Sequence, residues 1–201
     1  MVTRVAAPVP TAAPAAVDRE RLLVELVDRG GRALGGCRVG EAHTPPGRLH
    51  RAFSVLLYDP AGRLLLQQRA AAKTRFALRW SNTCCGHPAP GQDVAVAAAT
   101  RLAEELGITA AQIGPLTEAG VLRYRADDPA TRFVEYEWDH VLVGTLTDGV
   151  TAADANEVRQ VRWVNPEDLA AELAARPDDF TPWLAGVLDI AGKVADEGVR
   201  P

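Results

Sequence analysis

Three features of this 201-residue sequence predict a mixed α/β layer fold. Strand-like runs come as a hairpin pair before a long helical segment. That segment, residues 94–106, is closed by Gly107 in a position suited to a helix C-terminus. More strand-like runs follow, and two further helical runs come after them. The order strand, strand, helix, strands, helix is the pattern of sheet and helices packed in layers.

The elements follow one by one. Order is expected to begin near Glu20, where Leu22, Val24 and Leu26 alternate as in a strand and Asp28-Arg29-Gly30-Gly31 reads as a turn. Residues 39–49 read as a loop around Pro45-Pro46-Gly47. Residues 53–58 and 64–69 read as a hairpin turned by Asp59-Pro60-Ala61-Gly62. Residues 70–92 are long and irregular, and a loop of that length inside a domain is usually functional or disordered. Residues 121–124, 133–143 and 158–164 read as strands. Pro166 opens one helix, since proline is tolerated in a first turn, and residues 184–194 form another. Residues 1–18 are an Ala/Pro-rich tail expected to be disordered, residues 19–195 one domain, and residues 196–201 a short C-terminal tail.

Composition narrows the function. Hydrophobic residues make up 47% and charged residues 24%, which suits an ordinary globular chain. A net charge of −4 gives no sign of a polyanion-binding surface, so no nucleic-acid partner is expected. No apolar run approaches the ~20 residues of a membrane span. The start of the chain lacks the continuous apolar stretch of a secretory signal. Three cysteines, two of them adjacent, suit a reducing cytoplasm better than a disulfide framework.

Four groups of residues are candidates for chemistry. His43 and His50 bracket the proline turn, and His87 lies further along. Glu135 and Glu137, two apart in a strand, share one face, while Val134, Tyr136 and Trp138 take the other. Three imidazoles and two carboxylates make a site for Mn²⁺, Mg²⁺ or Zn²⁺. Spacing alone leaves open surface histidines and a solvated acidic edge. Asn82-Thr83-Cys84-Cys85-Gly86-His87-Pro88 offers a thiol that can act as a nucleophile or proton carrier if its pKa is lowered, or else a buried structural cysteine. Arg69, Lys73, Arg75 and Arg79 form a basic cluster suited to a diphosphate; Arg75 and Arg79 read better as solvated. Finally, residues 86–108 partly fit a loop–helix signature that binds Mg²⁺-diphosphate, the Nudix box. Leu102, Glu104, Glu105, Gly107 and Ile108 agree with it; Gln92, Thr100 and Arg101 replace its Glu, Arg and Glu. His140, Cys37 and Trp163 have no constellation around them.

Taken jointly, these segments resemble one family. Ala42-His43-Thr44, Arg48-Leu49-His50-Arg51-Ala52-Phe53-Ser54, Leu66-Gln67-Gln68-Arg69 and Trp80-Ser81-Asn82-Thr83-Cys84-Cys85-Gly86-His87-Pro88 look like the type 1 isopentenyl-diphosphate isomerases. Arg123-Tyr124-Arg125-Ala126, Glu135-Tyr136-Glu137 and Thr181-Pro182-Trp183 extend the match over residues 20–190. The resemblance implies a Nudix-like α/β fold, a mixed sheet flanked by helices. It implies an isomerase of isoprenoid biosynthesis that interconverts isopentenyl and dimethylallyl diphosphate by protonation and deprotonation of the alkene. It implies Cys85 as the catalytic thiol, Glu137 as the catalytic carboxylate and metal ligand, and Tyr124 as a hydroxyl near the reacting carbons. His43, His50, His87 and Glu135 match the other ligands of a Mn²⁺ or Zn²⁺ site. Glu105 and the backbone carbonyl of Cys85 match the ligands of a Mg²⁺ that arrives with the diphosphate. Arg69, Lys73 and Arg101 match diphosphate contacts, and Trp183 an indole over the prenyl tail. Two departures stand out: Val39 replaces a lysine of some relatives, with Arg38 beside it, and Ala77-Leu78 replaces a Pro-Gly pair. The rivals are a Nudix diphosphate hydrolase, disfavoured by Gln92, Thr100 and Arg101, and a non-catalytic metal- or prenyl-diphosphate-binding regulator, disfavoured by the intact Cys85 and Glu137.

Overall fold

The computed structural model describes residues 18–147, 150 and 152–196. The tails expected at 1–18 and 196–201 fall outside those residues, apart from Asp18, which caps a short 3-10 turn at Arg19–Arg21, and Asp196. The elements run β1 (Leu23–Val27), β2 (Ala33–Arg38), α1 (Val39–His43), β3 (His50–Tyr58), β4 (Leu64–Arg69), β5 (Trp80–Ser81), β6 (Cys84–Gly86), α2 (Val94–Leu106), β7 (Thr117–Asp127), β8 (Val134–Thr145), β9 (Val158–Val164), α3 (Pro166–Ala175) and α4 (Leu184–Asp196).

β3 organises the sheet. It lies parallel to β8 in unbroken register, from His50 opposite Glu137 to Tyr58 opposite Thr145. β6 runs antiparallel to it, with Ser54 opposite Cys85. β7 pairs antiparallel with β8, and β9 with β4. Side-chain alternation divides the residues of β3 between two cores. On β3, Phe53, Val55 and Leu57 enter a core with Ala98, Leu102 and Leu106 of α2. The intervening Leu56 enters a second core with Leu184 and Val187 of α4, so both faces of the strand are covered. Each such fully buried leucine contributes about 1.5–3 kcal/mol through apolar burial.

α2 begins where the Asp93 side chain accepts a hydrogen bond from Val96 N–H at 2.9 Å. It ends at Gly107, whose φ of 65° is the left-handed conformation that glycine adopts without strain. Its buried positions include Ala97, Arg101, Leu102, Glu105 and Leu106, one stripe of a 3.6-residue period that mixes core and charge.

Three expectations need correction. Residues 39–43 are a short helix rather than loop: Val39 and Ala42 are buried, and the turn delivers His43 inward. β2 was not foreseen, because Ala33-Leu34-Gly35-Gly36 is an exposed edge with no alternating pattern. The segment 70–92 is not uniformly irregular; Cys84-Cys85-Gly86 forms β6 by pairing with β3. Among the described residues no helix is long and apolar enough to cross a membrane.

Candidate active site

One end of the β3–β8 pair opens on a cavity of about 510 Å³. It is lined by His87 and Cys85, by Glu135, Glu137 and Tyr124, and by Trp183. Lys73, Arg101 and Glu105 line it as well. The register of β3, β6, β7 and β8 sets Cys85, Tyr124, Glu135 and Glu137 together, while α2 and two loops bring Arg101, Glu105, Lys73 and Trp183 to the same cavity.

At its base lie three imidazoles and two carboxylates whose ligand atoms are all within 4.8 Å of one another. His43 Nδ1 is 2.7 Å from the Val39 carbonyl oxygen, and His50 Nδ1 is 2.7 Å from that of Arg48. Each contact ties down one ring nitrogen and presents Nε2 to the cluster. His43 Nε2 meets Glu135 at 2.8 Å and His87 Nε2 meets Glu137 at 2.9 Å. His50 Nε2 is buried with no hydrogen-bond partner, 3.7 Å from Glu137. Buried polar groups are nearly always satisfied, so an orphaned imidazole nitrogen among carboxylates fits a cation. The chemistry of the donor set is that of a divalent metal site.

Charge in this cluster is finely set. Burial alone would raise the pKa of Glu137, yet its contacts with His50 and His87 hold the carboxylate well below the usual range. Burial and the Glu137 charge push Glu135 up, but His43 and Arg75 outweigh them. Burial lowers His87 to about 4, keeping it neutral. Tyr124 donates its hydroxyl to Glu137 Oε2 at 2.6 Å; burial and that carboxylate keep the phenol protonated.

Cys85 lies close to this group but not in it. Its thiol donates to Asn82 Oδ1 at 3.1 Å, and the Trp183 indole N–H donates to the same oxygen at 3.1 Å. Ser54 Oγ is 3.8 Å from Sγ and donates to Asp139. Burial, then the charge of Asp139, push the thiol up to about 12. The condition set for a reactive thiol, a lowered pKa, is not met: burial outweighs the opposing charge of Arg69. Trp183 stacks with Tyr124 at 5.8 Å between ring centroids and meets Phe76 edge-on at 5.3 Å, so the wall beside the thiol is aromatic.

The other end of the cavity is a charge cluster. Lys73 bridges Glu105, at 3.0 Å, and Glu157. Arg101 reaches Glu104, Glu105 and Glu157. Arg69 spends its guanidinium on the carbonyls of Arg75 and Phe76 and lies 5.7 Å over the Trp183 ring. Arg75, expected to be solvated, is buried and paired with Glu20 and with Glu135 at 3.2 Å. Its aliphatic stem and paired head explain the burial. Arg79 stays near the surface, bonded to the Asp178 carbonyl oxygen. Val39 lines the cavity while Arg38 is exposed at the start of α1. Leu78, standing where the resemblance has glycine, sits at φ 64°, a left-handed backbone that costs a non-glycine residue about 1–2 kcal/mol.

Two residues went unnoticed in the sequence. Asp139 continues the alternation of Glu135 and Glu137, so period two would have found it. Glu157 precedes β9 with no local motif, and only the fold shows it beside Lys73.

Comparison with known proteins agrees with this geometry. The NUDIX domain family profile matches residues 48–184. The chain is 66% identical over 168 residues to an isopentenyl-diphosphate Delta-isomerase from Nocardia farcinica, covering 84% of this chain and 93% of that one. It is 47% identical to the isopentenyl-diphosphate Delta-isomerase from Streptomyces coelicolor, over 86% of this chain and 84% of the other. Among solved structures, DR0079 from Deinococcus radiodurans superposes with a TM-score of 0.59 at 18% identity, covering 76% of this chain and 89% of that one. A NUDIX hydrolase from Nitrosomonas europaea gives a TM-score of 0.51 at 16% identity, over 71% and 87% of the two chains. Those distant structures establish the fold, and the close relatives narrow the assignment within it: this chain belongs to the isopentenyl-diphosphate Delta-isomerase family of Nudix-fold enzymes.

Proposed function

We propose that this chain interconverts isopentenyl and dimethylallyl diphosphate. The observation that carries this reading is a thiol, Cys85, and a carboxylate, Glu137, lining one cavity whose far end carries Lys73 and Arg101 among carboxylates. An unactivated alkene needs a proton delivered to carbon and another removed from the neighbouring carbon. The terminal CH₂ takes a proton as the π pair forms the new C–H bond. The resulting tertiary cation loses a proton from the carbon beside it, and that C–H pair becomes the new double bond. Without metal the transferable proton resides on Cys85 Sγ and the accepting site on Glu137, with Tyr124 OH donating to that carboxylate. The faces of Trp183 and Tyr124 stabilise the developing cation by ~1–2 kcal/mol each.

Arg69, Lys73 and Arg101 anchor the diphosphate and so fix where the alkene sits. His43, His50, His87, Glu135 and Glu137 would hold Mn²⁺ or Zn²⁺, and Glu105 with the Cys85 carbonyl oxygen would hold Mg²⁺. When bound, these ions would supply positive charge to offset the paired carboxylates and the diphosphate. Three free cysteines fit a cytoplasmic enzyme.

The test is incubation of purified protein with isopentenyl diphosphate and Mg²⁺, followed by proton and phosphorus NMR. Dimethylallyl diphosphate without phosphate release is the expected product. Inorganic phosphate or prenyl monophosphate in its place marks a hydrolase and overturns the reading.

A further inference from the structure

Gln67 of β4 belongs to no role described so far. It is almost wholly buried, between the thiol segment and α2. Its carboxamide nitrogen donates two hydrogen bonds, to the Thr83 carbonyl oxygen at 2.9 Å and to Glu105 Oε2 at 3.1 Å. Both partners are acceptors, so the amide orientation is fixed by chemistry: the reverse would set oxygen against two oxygens. Its own Oε1 is buried with no hydrogen-bond partner. A buried glutamine that leaves its acceptor unsatisfied is not optimised for stability.

The two oxygens of Glu105 face different surroundings. Oε2 takes the Gln67 N–H and, at 3.6 Å, the Cys84 thiol. Oε1 takes Lys73 at 3.0 Å and the Arg101 guanidinium, both of which line the cavity. We infer that Gln67 is a positioning residue for divalent-cation binding: it pins Glu105 Oε2 to the interior so that Oε1 faces the cavity. Through Thr83 it ties that carboxylate to the segment bearing Cys85, whose carbonyl oxygen is the other assigned ligand. Two ligands from different elements are thereby held at a fixed separation, which suits a small cation that tolerates little distortion. This inference rests on the assignment of Glu105 to the cation that accompanies the diphosphate.

The experiment uses Gln67→Leu, which keeps volume, removes both donors and also removes the unsatisfied acceptor. With the His/Glu cluster first filled with Zn²⁺, Mn²⁺ binding in the presence of inorganic diphosphate is followed by electron paramagnetic resonance, alongside melting temperature and the Mg²⁺ dependence of activity. Glu105→Gln is measured in parallel. The expected result is weakening of Mn²⁺ binding by roughly tenfold or more, as for loss of an outer-shell partner, with activity rescued by excess Mg²⁺ and a modestly lowered melting temperature, since two buried acceptors lose their donor. Unchanged Mn²⁺ binding in Gln67→Leu, with Glu105→Gln impaired, overturns the role of Gln67 alone. Unchanged binding in both variants overturns the Glu105 assignment and the inference with it. A lowered melting temperature with no rescue by Mg²⁺ shows a merely structural residue and equally overturns it.

Discussion

Cys84 and Cys85 are neighbours in sequence and opposites in surroundings, because successive side chains in a strand face opposite ways. Cys84 is buried among the residues that pack on α2, and its thiol donates to Glu105. Cys85 lines the cavity and is held by Asn82. The raised pKa of Cys85 makes a pH prediction. A thiol with a pKa near 12 carries roughly a thousandfold less thiolate at pH 8 than one at the ordinary value of 9.0. In metal-stripped protein, alkylation of Cys85 by iodoacetamide should be slow at pH 8 and still rising at pH 10. A reactivity plateau below pH 9 would show that Arg69 wins over burial. Asn82 is an example of a residue whose role the sequence motif contains but does not explain: one oxygen accepts from both the thiol and Trp183.

At the scale of elements, the metal cluster depends on which strands are adjacent. β3 supplies His50 and β8 supplies Glu137 directly opposite it. α1 supplies His43, and the turn after β6 supplies His87. His50→Ala and Glu135→Gln should each yield protein depleted in divalent metal by elemental analysis, while wild type retains it; full metal content in both would refute the ligand set. The strand carrying the thiol is placed by Gly86. A Cβ there would lie 2.7 Å from Phe53 Cζ and 3.2 Å from Arg101 Cγ. Gly86→Ala should cost about 1–3 kcal/mol by overpacking and lower activity by shifting Cys85. Adding Phe53→Leu should recover part of both, and no recovery would locate the strain elsewhere. The apolar runs at β3, β4 and β9 and the closed helix α2 were legible because local composition, flanking turn residues and Gly107 define them. β2, α1 and β6 were not, since each is short and exists through pairing or burial that involves distant residues. The ligand types were legible for the same reason that they are chemical, whereas the burial of Arg75 and the position of Glu157 come from tertiary contacts alone.

For the molecule as a whole, the fold separates two tasks along one cavity. Charge is concentrated where Lys73, Arg101, Glu105 and Glu157 converge, and Cys85 and Glu137, the pair proposed for proton transfer, lie at the aromatic, buried end. Hydrolytic relatives of the fold need carboxylates gathered round a water; here Gln92 before α2 and Arg101 on it replace two of them. The central claim is that Cys85 and Glu137 exchange protons with carbon. Its most direct test is incubation with isopentenyl diphosphate and Mg²⁺ in heavy water, with mass analysis of substrate and product. Wild type and Cys84→Ser should give dimethylallyl diphosphate carrying deuterium, while Cys85→Ser and Glu137→Gln, folded by circular dichroism, should form none. Isomerisation without deuterium uptake, or equal loss of activity in Cys84→Ser and Cys85→Ser, would contradict it.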